Sequence, residues 1–102
     1  MLSRLLPVLT LLAACASPSL EFQGAAEQRV TIEGTQIAVF RKGDAAQAIR
    51  LDHASWAEQP KMPARLRAAI ETVTGCAIAP GSEGPVLGLQ NDSAVLTARL
   101  AC

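Results

Sequence analysis

Apolar and polar residues alternate with a period of two in three successive stretches of the chain. In RVTIE, residues 29–33, Val30 and Ile32 share one face; after Gly34 and Thr35, Ile37 and Val39 resume it through QIAVFR, residues 36–41. The interruption reads as a hairpin with Gly34 at the first loop position, as a type II′ turn prefers. Lys42, Gly43 and Asp44 make a second turn, after which Ile49 and Leu51 alternate in AQAIRLD, residues 46–52. A three-strand meander is expected. The pattern lapses in HASWAEQPKM, residues 53–62, which reads as a connecting loop running into prolines 60 and 63.

The period then changes. Pro63 suits a first helical position, and Leu66, Ile70 and Val73 recur at four and three residues. A helix over 63–74 follows, with Arg65, Arg67 and Glu71 on its other side and Gly75 as a left-handed C-terminal cap. Past Cys76 come a short apolar triplet, a PGSEGP loop, and two strands, VLGLQ and SAVLTARLAC, joined by an Asn91-Asp92 turn. Ala94, Leu96, Ala98, Leu100 and Cys102 share the face of the last strand that would lie beneath the helix. The expected fold is α+β: a small antiparallel sheet, built from the meander and a C-terminal hairpin, packed on one helix.

The first fourteen residues fit none of these periods. One positive charge at Arg4 precedes LLPVLTLL, an apolar stretch too short for a helix to cross a ~30 Å hydrocarbon core. This is the layout of a signal peptide. It ends in Leu12, Ala13, Ala14 and Cys15, which resembles the lipobox of bacterial lipoproteins at all four positions. The resemblance implies cleavage between Ala14 and Cys15, diacylglycerol on the Cys15 thiol, usually an acyl chain on the freed amine, and residence at a periplasm-facing membrane. Small residues let an extended backbone enter a membrane-embedded peptidase, and the thiol is the nucleophile that takes the lipid. Two or more chains give stable anchoring, at roughly 0.8 kcal/mol per buried methylene. Ala16 stands where Asp would signal inner-membrane retention in some bacteria, which favours the outer membrane. Residues 16–28, small and polar, read as a tether of roughly 20 Å as a flexible coil. The alternation of Leu20 and Phe22 with polar neighbours also allows an edge strand there. The domain proper is then 29–102.

Composition narrows the rest. A chain of 102 residues holds one small core, and with two Phe, one Trp and no Tyr that core must be Leu, Ile and Val. Nine basic and nine acidic residues cancel without a run of either sign, which supports neither a nucleic-acid footprint nor a polybasic membrane patch.

With Cys15 lipidated, Cys76 and Cys102 remain, an even number in an oxidising compartment, and are expected to pair. Closing that loop contributes roughly 3.5 kcal/mol in the chain-entropy picture. The rival reading is a redox couple, but such pairs favour a Cys-x-x-Cys spacing at a helix start, whereas Cys76 follows a helix end, where the dipole makes a thiol less reactive.

Elsewhere the chemistry is sparse. Asp52, His53 and Ser55 are the residue types of a hydrolase triad, but strand neighbours point to opposite faces and cannot line up in series. One His without companion ligands makes no metal site, and Gly81, Gly84 and Gly88 precede no helix start that would cradle phosphate. No catalytic residue, metal or cofactor is expected. Trp56 either anchors a partner or caps one end of a core short of large side chains. Three functional classes follow: a non-enzymatic envelope lipoprotein that binds another envelope protein as an accessory or assembly subunit, a binder of small ligand or lipid between helix and sheet, and, least supported, a hydrolase or redox enzyme.

Overall fold

The computed structural model describes residues 18, 20–83 and 94–102. Among the described residues are five strands and one α-helix: β1 (Glu27–Ile32), β2 (Thr35–Lys42), β3 (Ala45–Arg50), α1 (Met62–Thr74), β4 (Ala77–Ile78) and β5 (Val95–Ala101). The strands are antiparallel, in the order β1-β2-β3-β5-β4, with α1 packed on one face. The α+β arrangement expected from the sequence is the one found. The strand expected at 86–90 lies outside the described residues. Within them β5 pairs with β3 and with the two-residue β4, a strand too short to show a period.

The first turn differs from expectation. Ile32 pairs with Thr35, so the two loop residues are Glu33 and Gly34, both at positive φ (48° and 83°). Two left-handed residues make a type I′ turn rather than II′, the other hairpin whose twist matches that of the strands it joins. Glycine occupies the second loop position, and a glutamate takes the first.

Helix α1 starts at Met62, one residue before the expected proline, and ends at Thr74, capped by Gly75 in the left-handed conformation (φ 72°). The Gly75 N–H donates to the Glu71 carbonyl at 2.9 Å. Leu66, Ala69 and Ile70 are buried against Ile37 and Val39 of β2, Ala46 and Ala48 of β3, and Leu96, Ala98 and Leu100 of β5, with Val30 and Ile32 at the margin. The apolar faces of β1, β2, β5 and α1 are those the period indicated. In β3 the helix side is Ala46 and Ala48, and the bulkier Ile49 and Leu51 belong to the second face.

That second face has its own core of Phe22, Ala38, Phe40 and Ala45, with Ala25, Ile49 and Leu51 beside it. Phe22 has no exposed surface and sits in a single 3-10 turn, Leu20–Phe22. The flexible-tether reading therefore does not hold from Leu20 onward, nor is this segment an edge strand. An aromatic side chain with an unoccupied apolar sheet face in reach gains more by burial, roughly 1.5–3 kcal/mol for a Phe, than local polarity suggests. Gln47, fully buried on this face, donates from Nε2 to Thr97 Oγ1 at 2.9 Å, which satisfies a polar group that would be costly to bury alone.

The register Ala77↔Ala101 puts Cys76 beside Cys102, and the two form a disulfide with their Cα atoms 4.5 Å apart. The bond fastens the end of β5 to the segment leaving α1.

Candidate functional site

A crevice of about 270 Å³ opens at the end of the sheet where β1 turns into β2. Three segments form its walls: the Glu33–Thr35 turn, the run from Arg50 to Glu58 that leaves β3, and the first turn of α1 with Met62 and Arg65. The segments meet because the Gln36 carbonyl accepts the Leu51 N–H at 2.9 Å, while the Asp52 carboxylate accepts the Gln36 N–H at 3.0 Å. The chain then turns at Ser55, whose carbonyl accepts the N–H groups of Glu58 and Gln59, each at 3.0 Å.

Arg65 is the pivot of this site. The helical pattern assigned it to the solvent side with Arg67 and Glu71; instead its side chain is only 8% exposed. Its guanidinium meets Glu58 Oε1 at 2.8 Å through Nη2, donates to Thr35 Oγ1 at 3.2 Å through Nη1, and faces Glu33 Oε1 at 3.5 Å through Nε. The last is an ion pair without hydrogen-bond geometry, so Nε is buried without a hydrogen-bond acceptor. The hydrogen bond from Arg65, reinforced by Lys61 at 3.3 Å, lowers the Glu58 carboxyl below its ordinary pKa, and Glu58 in turn raises that of Arg65. The side chain of Glu33, a turn residue at positive φ, thus reaches across to the helix. The Arg65 signal was present in the sequence: it lies three residues after Met62 and beside Leu66, within the buried stripe, and only its charge argued otherwise.

Asp52, His53 and Ser55 all line the crevice. No hydrogen bond joins His53 to Asp52 or Ser55 among the described residues; Asp52 is engaged with the Gln36 backbone. Among the described residues no group of three or more His, Cys, Asp or Glu is placed to hold a metal ion, and no helix is long and apolar enough to cross a membrane.

Trp56 lies in the loop between Ser55 and Glu58, two residues that line the crevice, and 89% of its surface is exposed. Of the two readings of this residue, capping a core is excluded by that exposure. The chain's sole indole stands in solvent beside a rigid clasp of charges. The proposed lipidation and cleavage site, Ala14 and Cys15, lies outside the described residues.

No protein-family model, curated protein or solved structure matches this chain.

Proposed function

We propose that this protein is a membrane-anchored lipoprotein of the bacterial envelope, held by lipid on Cys15, and that it acts without catalysis as an accessory subunit that docks another envelope protein through the surface around Trp56. The observation that carries the docking role is the exposure of Trp56. A tryptophan that leaves nearly all of its apolar surface in water forgoes the burial that aromatic residues ordinarily gain, and Trp is among the residues most enriched at binding hot spots. The loop that carries it is pinned at both ends, by Asp52 to β2 and by Glu58 to Arg65, so little ordering remains to be done on binding. The Cys76–Cys102 disulfide supports an oxidising compartment, which agrees with export.

The docking role is tested in intact cells with a photo-crosslinking residue in place of Trp56 and, as a control, in place of Thr72 on the exposed side of α1. One discrete adduct from position 56 and none from position 72 is the expected result. Matching adducts from both positions, or none from either, would contradict it. Incorporation of labelled palmitate, abolished by Cys15→Ser, tests the anchor.

A second reading is favoured by the crevice itself. Its volume suits a small ligand, and Trp56 fluorescence titrated with envelope extracts of low molecular mass distinguishes the two: a saturable change supports ligand binding, and an invariant spectrum favours protein docking.

A further inference from the structure

Phe22 fixes where the chain leaves the folded body. It is buried against Phe40 and Ala45, at the end of the sheet where β2 turns into β3. The same end holds the segment by polar contacts: Lys42 Nζ donates to the Gln23 carbonyl at 3.5 Å, and Gln23 Nε2 donates to the Pro18 carbonyl at 3.3 Å. Pro18 is therefore fastened, through Gln23, to the β2–β3 turn.

Three residue steps separate Pro18 from Cys15, and a fully extended chain covers roughly 11 Å in that distance. The lipid on Cys15 would sit at the membrane surface, so this corner of the domain cannot stand off from it. Leu20 is 87% exposed at the same corner, an apolar residue suited to the headgroup boundary. Charge is nearly balanced here: Arg41, Lys42 and Arg99 lie against Glu21 and Asp44, with Asp44 and Arg99 paired at 2.9 Å. Chain length rather than electrostatic attraction sets the contact.

The crevice and Trp56 occupy the opposite end. Strand β3 leaves the β2–β3 turn at Ala45 and reaches Arg50 at the crevice, about 17 Å away at ~3.4 Å per residue, and β2 runs back from Lys42 to Thr35 over about 24 Å.

From this we infer that the domain is oriented on the membrane: the Leu20 and Lys42 corner rests on the phospholipid headgroups, and the Trp56 crevice is presented outward into the aqueous space. This rests on the lipid anchor proposed above. A docking partner would then meet Trp56 from the aqueous side and need not touch the bilayer.

The sole tryptophan makes the orientation measurable. The full-length protein, isolated with its native lipid, is reconstituted in vesicles of phosphatidylethanolamine and phosphatidylglycerol that carry a nitroxide on the headgroup. Intact mass is taken first: a product without lipid on Cys15 overturns both the anchor and the orientation. With lipid present, Trp56 keeps its emission, whereas the Leu20→Trp, Trp56→Phe variant loses most of its own. Quenching of both probes, of neither, or of position 56 alone overturns the orientation and leaves the anchor standing. An insertion of about ten Gly and Ser residues between Ala16 and Ser17 adds roughly 17 Å of coil and relieves the quenching at position 20. Undiminished quenching there would show that the corner binds lipid by its own affinity, against the tether-length account.

Discussion

Arg65 of the helix and Glu58 of the preceding loop are 2.8 Å apart in a pair that is nearly closed to solvent on the arginine side and open on the glutamate side. The asymmetry determines how the pair responds to pH. A carboxyl whose pKa is lowered on folding stabilises the fold above its unfolded pKa, near 4.5, and that contribution is lost as pH falls through the lower, folded value. Arg65, its pKa raised by the hydrogen bond to Glu58, stays charged throughout. Melting temperature is therefore expected to fall below pH 4.5, and Glu58→Gln should be less stable than the native chain at neutral pH but converge with it in strong acid. Parallel curves across that range would show that the pair contributes nothing to stability.

Phe22→Ala should destabilise by about 3–5 kcal/mol, the cost of deleting a buried aromatic from a closed site. At ~4–8 °C per kcal/mol for a domain of this size, the melting temperature drops by at least about 12 °C. An unchanged melting temperature would return residues 20–26 to a mere tether and would also remove the basis for orienting the domain on the membrane.

Reducing the Cys76–Cys102 bond, or replacing both residues by serine, should cost roughly 3.5 kcal/mol, because the unfolded chain regains the freedom of the closed loop. Thermal melts with and without reductant measure this directly. A domain equally stable in both would mean that the β4–β5 pairing holds the terminus without covalent help.

Ile70→Ala removes a fully buried side chain between α1 and the sheet, and about 2–5 kcal/mol of stability with it. Trp56→Ala, by contrast, removes a side chain that touches little of its own protein, so the melting temperature should stay within about 0.5 kcal/mol equivalent of the native value. Partner crosslinking is the property it should lose.

These contrasts follow how much the residues disclose in one dimension. Val30, Ile32, Ile37, Val39, Leu96 and Leu100 announce the core by strict alternation, and Leu66, Ile70 and Gly75 announce the helix and its end. The period is local, so local elements were legible. Phe22 was not, because its burial depends on a sheet face assembled from residues sixteen and more positions away. Arg65 was misplaced for a related reason: its charge points to solvent until Glu58, Glu33 and Thr35 are brought around it by the fold. The small side chains of Ala46 and Ala48 hid the inward face of β3, since the larger Ile49 and Leu51 dominate any count of hydrophobicity there. Of the candidate site, Trp56, Asp52, His53 and Ser55 were visible as residue types, and the crevice that the last three line was not.

The proposed anchor on Cys15 underlies the proposed address, orientation and docking role together. Intact-mass analysis of the protein purified from its native membrane tests it most directly. The expected product lacks residues 1–14, begins at Cys15 and carries the added mass of diacylglycerol and an amide-linked acyl chain. A first residue other than Cys15, or a Cys15 thiol bearing no lipid, would contradict the account.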